Sequence, residues 1–193
     1  MNNIKTILHG LPVQPLLDSL QPEMWEDITM RQRYPGSAHA DTECIFLRGP
    51  RSFLNFFAVD AQDYPRLEQV IEPLMLVLRP LLNTIDCQPD ELGRVMLVKL
   101  LPRGHVKVHT DTGPYADAFQ RHHVVLSTND HCVYHCGDES AKHAAGDAFW
   151  FDHHAPHHSH NYGDTDRIHL IVDTLERRAS ATGTNWSDLC PKN

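Results

Sequence analysis

The chain lacks any apolar run approaching the roughly 18 residues that a membrane-spanning helix needs, so no membrane association is expected. Positive charge is scarce. Lys and Arg number 17 against 25 Asp and Glu, a formal net charge of -8. That deficit argues against a nucleic-acid partner, which would call for a basic surface. Residues 1–17, MNNIKTILHGLPVQPLL, have neither a positive region leading into an apolar block nor a small-residue cleavage site, so no signal peptide is expected. Cysteines are few, odd in number and scattered: Cys44, Cys87, Cys132, Cys136 and Cys190. Without a secretion signal, this usage predicts reduced thiols and a cytoplasmic location. Internal repeats, low-complexity tracts and linkers are also missing, and 193 residues suffice for one domain with its own core.

What is present is an ordinary globular composition, 41% hydrophobic and 22% charged, with an unusual 15 histidines. Several of these titrate just below neutrality, so the net charge is expected to respond to pH. Residues 12–35 hold short apolar pieces broken by four prolines and read as a covering segment. Residues 43–48 (ECIFLR) and 53–59 (FLNFFAV) read as two strands about the Gly49-Pro50 turn. Leu67, Val70, Ile71, Leu74, Leu78, Leu81 and Leu82 recur at helical spacing, with Pro73 and Pro80 predicting a break or kink. From Arg94 onward, short strand-like runs alternate with turns: 94–101, 105–109, 121–127, 131–136, 148–151 and 167–175. This texture predicts a mostly β fold, a small jelly roll with a helical layer from the N-terminal half. The expected organisation is a single unit over 1–193: strands and helices in 1–90, a metal-binding core in 91–178, and a loose polar tail in 179–193.

His109 and Asp111 stand two apart at the end of a strand-like run, so both side chains can reach one ion while Thr110 points away. A third ligand must come from a neighbouring strand. The segment 153–160, HHAPHHSH, offers five histidines. His157 is preferred because ten residues separate it from Arg167, room for a ligand, a turn and a returning arginine; His160 is the alternative. Two imidazoles and one carboxylate form the facial triad suited to iron(II), with positions left open. Arg167 lies inside the apolar run RIHLIVD and needs a buried anion. A guanidinium holds a carboxylate bidentately, and 2-oxoglutarate is the acid expected there. A closed zinc site is disfavoured, since structural zinc usually takes four protein ligands.

These blocks carry a family resemblance. LLPRGHVKVHTD (100–111), RHHVVL (121–126), GDAFWFDHHAPHHSHN (146–161) and RIHLIVD (167–173) resemble the aspartyl/asparaginyl β-hydroxylase family of iron(II)- and 2-oxoglutarate-dependent dioxygenases, from about Arg94 to Glu176. The resemblance implies a double-stranded β-helix. It makes His109 and His157 iron-binding imidazoles and gives Arg167 the distal carboxylate of 2-oxoglutarate. It places Arg121 and His123 on the family's Arg-x-His pair, near cosubstrate and substrate. Asp111 stands where animal members carry a small residue, so this chain keeps a full triad as bacterial-type members do. A disulfide-bearing growth-factor-like substrate is therefore a poor expectation. The implied reaction uses O2 and releases succinate and CO2 while hydroxylating an amino-acid-like carbon: an Asp or Asn residue of a peptide, a carrier-bound amino acid, or a free small acid.

Other residues carry weaker signals. Arg48, ahead of Gly49-Pro50, is the preferred substrate-carboxylate partner over Arg31, Arg51 and Arg103. Cys132 and Cys136, with His131 and His135, suggest a second metal, but strand packing is the better reading. Asp152 is expected to orient a ligand histidine or cap a turn, Asn161 to hold the turn after the third ligand, and Phe149, Trp150 and Phe151 to fill core. The competing functions are a non-catalytic metal- or ligand-binding jelly roll and a cupin-type iron enzyme that does not use 2-oxoglutarate.

Overall fold

The computed structural model describes residues 2–26 and 36–176. The tail expected over 179–193, and Arg31, lie outside them. Eleven strands form two antiparallel sheets among the described residues. The larger sheet runs in the order β1 (Ile4–Leu8), β9 (Ala148–Phe151), β6 (Phe119–Ser127), β11 (Arg167–Leu175), β4 (Leu92–Leu100), β2 (Thr42–Gly49), β3 (Gln62–Asp63). The smaller runs β5 (His105–His109), β10 (His157–Asn161), β7 (Cys132–Cys136), β8 (Glu139–Ala141). Two antiparallel sheets enclosing a cavity make this a jelly roll. Helices α1 (Gln14–Asp18), α2 (Pro65–Thr84) and α3 (Pro114–Ala118) complete it. No helix among the described residues is long and apolar enough to cross a membrane.

Period-two alternation separates the larger sheet into two chemically different faces. Val95 and Leu97 of β4, Leu170 and Val172 of β11, Val124 and Leu126 of β6, and Ile45 and Leu47 of β2 point to one side. There they meet Val70, Leu74, Val77, Leu78 and Leu81 of α2, together with Leu16, Met24 and Trp25. The intervening residues point toward the smaller sheet and line the cavity: Arg94, Met96 and Val98 of β4, Arg121 and His123 of β6, and Arg167, Ile171 and Asp173 of β11. One face supplies the core, the other the site.

Two local expectations are corrected. Residues 53–59 do not form a strand: Phe53–Asn55 make a single 3-10 turn, with the Ser52 hydroxyl accepting from the Leu54 N–H. No described strand pairs with this segment, and Phe53, Leu54, Phe57 and Val59 are exposed. Its aromatic composition reflects a position at the cavity mouth, where Phe56 and Phe57 join the lining. Helix α2 continues through Pro73 and Pro80 without a break. Each proline withholds one N–H, from the carbonyls of Gln69 and Leu76. Both of those residues are exposed, so water can serve the carbonyls, while the buried stripe on the opposite side holds the helix to the sheet. Strands β1 and β8 and helix α3 had no clear signal in the sequence.

Leu97 is fully buried at the centre of this core. Leu97→Ala is expected to lower stability by about 2–5 kcal/mol in urea unfolding. His122 is buried on β6, and burial, against an opposing pull from Asp173, takes its pKa down to about 4. An unfolded histidine protonates near 6.5. Between those values the unfolded chain binds the extra proton, so stability is full above pH 6.5 and declines as pH falls toward 4. Urea midpoints of the metal-free protein should drop over that window. His122→Gln should remove up to about 1.4 kcal/mol per pH unit of the slope; an unchanged slope would contradict the buried neutral imidazole.

Candidate active site

Strands β5 and β10 are antiparallel neighbours, with His109 and His157 directly opposite each other. Their ring centroids are 4.2 Å apart. Asp111 follows β5 immediately; its backbone N–H donates to the His153 carbonyl at 2.9 Å, which fixes the turn out of the strand. One ligand atom each from His109, Asp111 and His157 lies within 4.8 Å of the others, and this is the only such group of three or more among the described residues. His109 Nδ1 donates to the Lys107 carbonyl at 2.8 Å, and His157 Nδ1 donates to the Ala155 carbonyl at 3.0 Å. Both bonds set the tautomer that leaves Nε2 as a lone-pair donor. His157 is held neutral, its pKa pushed down to about 4, first by burial and then by His109. His160 has no place in this group. It stacks on Tyr162 and lies beside His105.

The carboxylate has its own support. Arg121 Nη1 donates to Asp111 Oδ2 at 2.6 Å, while Nε and Nη2 form a bidentate pair with Asp173 at 2.8 and 2.9 Å. Arg121 and Asp173 are register partners on β6 and β11. Burial alone would raise the Asp111 pKa, but Arg121, followed by His157 and His109, more than reverses this, to about 2. Asp111 is therefore an anion at any neutral pH, ready to bind a cation.

Arg167 enters the cavity from the opposite end of β11, only 5% exposed. Its Nε has no hydrogen-bond partner, and among the described residues no carboxylate lies within ion-pair distance. Burial lowers its pKa from the usual arginine value. His123 is buried beside it, its Nδ1 sharing a hydrogen bond with His169 Nδ1 at 3.1 Å, and its pKa is driven well below 6.5, by burial first and then by Arg121 and Arg167. Tyr134, Phe149 and Phe151 pack around the His123 ring. The cavity has a volume of about 690 Å³ and joins Arg167, His123 and the His109–Asp111–His157 group in one space.

Arg48 is not part of this space. Its Nη1 pairs with Asp63 at 2.7 Å and its Nε donates to the Leu92 carbonyl. Arg51 pairs with Asp60 and Arg103 with Asp164, both exposed. Cys132 and Cys136 point inward with Sγ on Asn161 Oδ1 and the Asp152 carbonyl, as packing requires. Asp152 accepts from the His154 N–H and closes a turn. Asn161 accepts from the Gly163 N–H and donates to the Thr165 carbonyl, which holds the β10–β11 turn. Phe149 and Phe151 are fully buried. Arg94, Tyr115 and Asp173 also belong to the lining, although the sequence reading did not single them out. Arg94 and Asp173 carried a usable signal, a charge inside an apolar strand run, the same signal that marked Arg167.

The family model for Aspartyl/Asparaginyl beta-hydroxylase matches residues 61–177. No curated protein matches this sequence. Among solved structures, a 2OG-Fe(II) oxygenase family oxidoreductase from Burkholderia pseudomallei aligns with a TM-score of 0.53 at 14% identity, covering 76% of this chain and 74% of its own. The viral collagen prolyl hydroxylase of Paramecium Bursaria Chlorella virus-1 aligns with a TM-score of 0.54 at 12% identity, covering 90% of this chain and 96% of its own. At these identities the two structures speak for the fold. The family match spans more than half of the sequence and includes His109, Asp111, Arg121, His157 and Arg167, and on that ground the chain belongs to the aspartyl/asparaginyl β-hydroxylase family and is a hydroxylase.

Proposed function

We propose that this chain uses iron(II), 2-oxoglutarate and O2 to hydroxylate an amino-acid-like substrate, releasing succinate and CO2. One observation carries the reading. A three-ligand group with an open face shares a cavity with a buried arginine that has no carboxylate partner among the described residues. The donor set fits the metal: two imidazoles presenting Nε2 and one ionised carboxylate are the ligands of a facial iron(II) site. Bound there with its cosubstrate, iron(II) supplies the oxidation of a substrate C–H bond by O2.

The chain's own groups do the rest. His109, Asp111 and His157 hold the metal. Arg121 keeps Asp111 ionised and aimed, and Asp173 in turn holds Arg121. Arg167 takes the distal carboxylate of 2-oxoglutarate, because a guanidinium this deeply buried requires an anion. His123, neutral and braced by His169, lines the cosubstrate's place without adding charge. Tyr134, Phe149 and Phe151 keep bulk water from that end.

Anaerobic titration of the iron(II) protein with 2-oxoglutarate tests the site directly. A visible charge-transfer band should form in wild type, persist in His160→Ala and vanish in His157→Ala. No band in well-folded, iron-loaded wild type would remove the 2-oxoglutarate reading. In Arg167→Ala, the 2-oxoglutarate concentration for half-maximal band formation should rise about 30-fold or more, as expected from breaking a buried charged pair. An unchanged requirement would favour an iron enzyme working without this cosubstrate.

A further inference from the structure

The outer face of the smaller sheet carries a second group of imidazoles. Side chains alternate along β10: His157, Ser159 and Asn161 are buried, while His158 and His160 are half-buried on the other side. Strand β7 divides in the same way, with Cys132, Tyr134 and Cys136 inward and Val133 and His135 outward. His135 and His158 stand directly opposite each other in the β7–β10 register, and His160 follows two residues along β10. Opposite residues on antiparallel strands have Cβ atoms about 4.5–5.5 Å apart, close enough for two imidazoles to share an ion.

The three rings meet. The centroids of His135 and His158 are 4.4 Å apart, those of His158 and His160 5.3 Å, and those of His135 and His160 6.2 Å. The corresponding distance between His109 and His157 is 4.2 Å, so the outer trio is somewhat wider than the inner pair. Among the described residues no hydrogen bond or ion pair holds a ring nitrogen of His135, His158 or His160, and rotation about χ1 and χ2 is free to aim them. Tyr162 stacks on His160 at 5.0 Å and braces it. His105 extends the patch, opposite His160 in the β5–β10 register, but its Nδ1 is paired with Asp41 at 3.0 Å, which leaves it outside the trio. The thiols of Cys132 and Cys136 are outside it too, on the inner side of β7. The donor set is therefore nitrogen alone. Imidazole suits zinc, copper and nickel, whereas magnesium, calcium and manganese take oxygen. Three imidazoles also leave a tetrahedral zinc ion one position for water.

We propose that His135, His158 and His160 form a second metal site, on the outer face of the smaller sheet, for a divalent ion of the zinc class. It is separate from the His109–Asp111–His157 group, because His157 and His158 are neighbours in sequence that project to opposite faces of β10. An ion bound there clips β10 to β7. The proposal does not depend on the oxygenase reading.

Zinc titration of the metal-free protein against a chromophoric chelator, with thermal unfolding in parallel, tests it. Wild type should bind one zinc at the inner group and another at the outer trio. His109→Ala should lose the inner ion and keep the outer one, and zinc should still raise its unfolding temperature. His135→Ala and His160→Ala should each weaken the outer ion by about 10–100-fold or more, since a lost ligand costs at least what a lost orienting partner does. Zinc retained at the inner group verifies that these two variants are folded. The inference is overturned if wild type binds zinc at the inner group alone, if the second ion keeps its affinity in His135→Ala and His160→Ala, or if folded His109→Ala binds no zinc.

Discussion

Arg121 stands between two carboxylates, and much of the site depends on that bridge. Asp111 can serve as a metal ligand only while ionised, yet it sits where burial favours the neutral acid. The guanidinium 2.6 Å away reverses the balance. Arg121 can be buried there because Asp173 takes its other edge bidentately, and Asp173 can be buried because Arg121 answers it. The pair faces across the β6–β11 register, so strand pairing sets the position of the ligand carboxylate. A slip of one residue would turn Arg121 to the α2 side of the sheet and leave Asp111 and Asp173 as uncompensated buried charges.

The larger sheet can carry so many charges on one face because its other face is largely apolar. Strand β11 shows the division most plainly: Arg167, His169 and Asp173 face the smaller sheet, while Leu170 and Val172 pack toward α2. The helical layer supplies the hydrophobic burial that offsets the cost of desolvating the site. The smaller sheet contributes His109 and His157 on adjacent strands, and backbone carbonyls two residues before each orient the rings. The candidate ligands therefore rest on regular strand geometry, with only Asp111 placed by a turn.

Several of these relations were legible in the residues. His109 and Asp111, two apart at a strand end, were expected to converge, as they do, and the ten-residue step from His157 to Arg167 left room for the turn that Asn161 now holds. The strand runs from Arg94 onward were readable because alternation and turn residues agree there. The 53–59 segment misled because aromatic and aliphatic residues that favour strands also serve at a cavity mouth. Pro73 and Pro80 misled because their lost hydrogen bonds fall at exposed carbonyls. Arg48 was a fair candidate on position alone, but its pairing with Asp63 depends on strand β3, which is only two residues long.

By itself the sequence determined the fold class, the two-residue spacing of His109 and Asp111 at a strand end, and the charge of Arg167 inside an apolar run, because strand periodicity and the cost of burying charge are local properties. Only the tertiary structure decided which histidine of 153–160 faces His109, which arginine Asp111 and Asp173 share, and that Arg94 rather than Arg48 lines the cavity. Those choices are made by register between strands distant in sequence, and a side chain's partner across a sheet leaves no mark in its own neighbourhood.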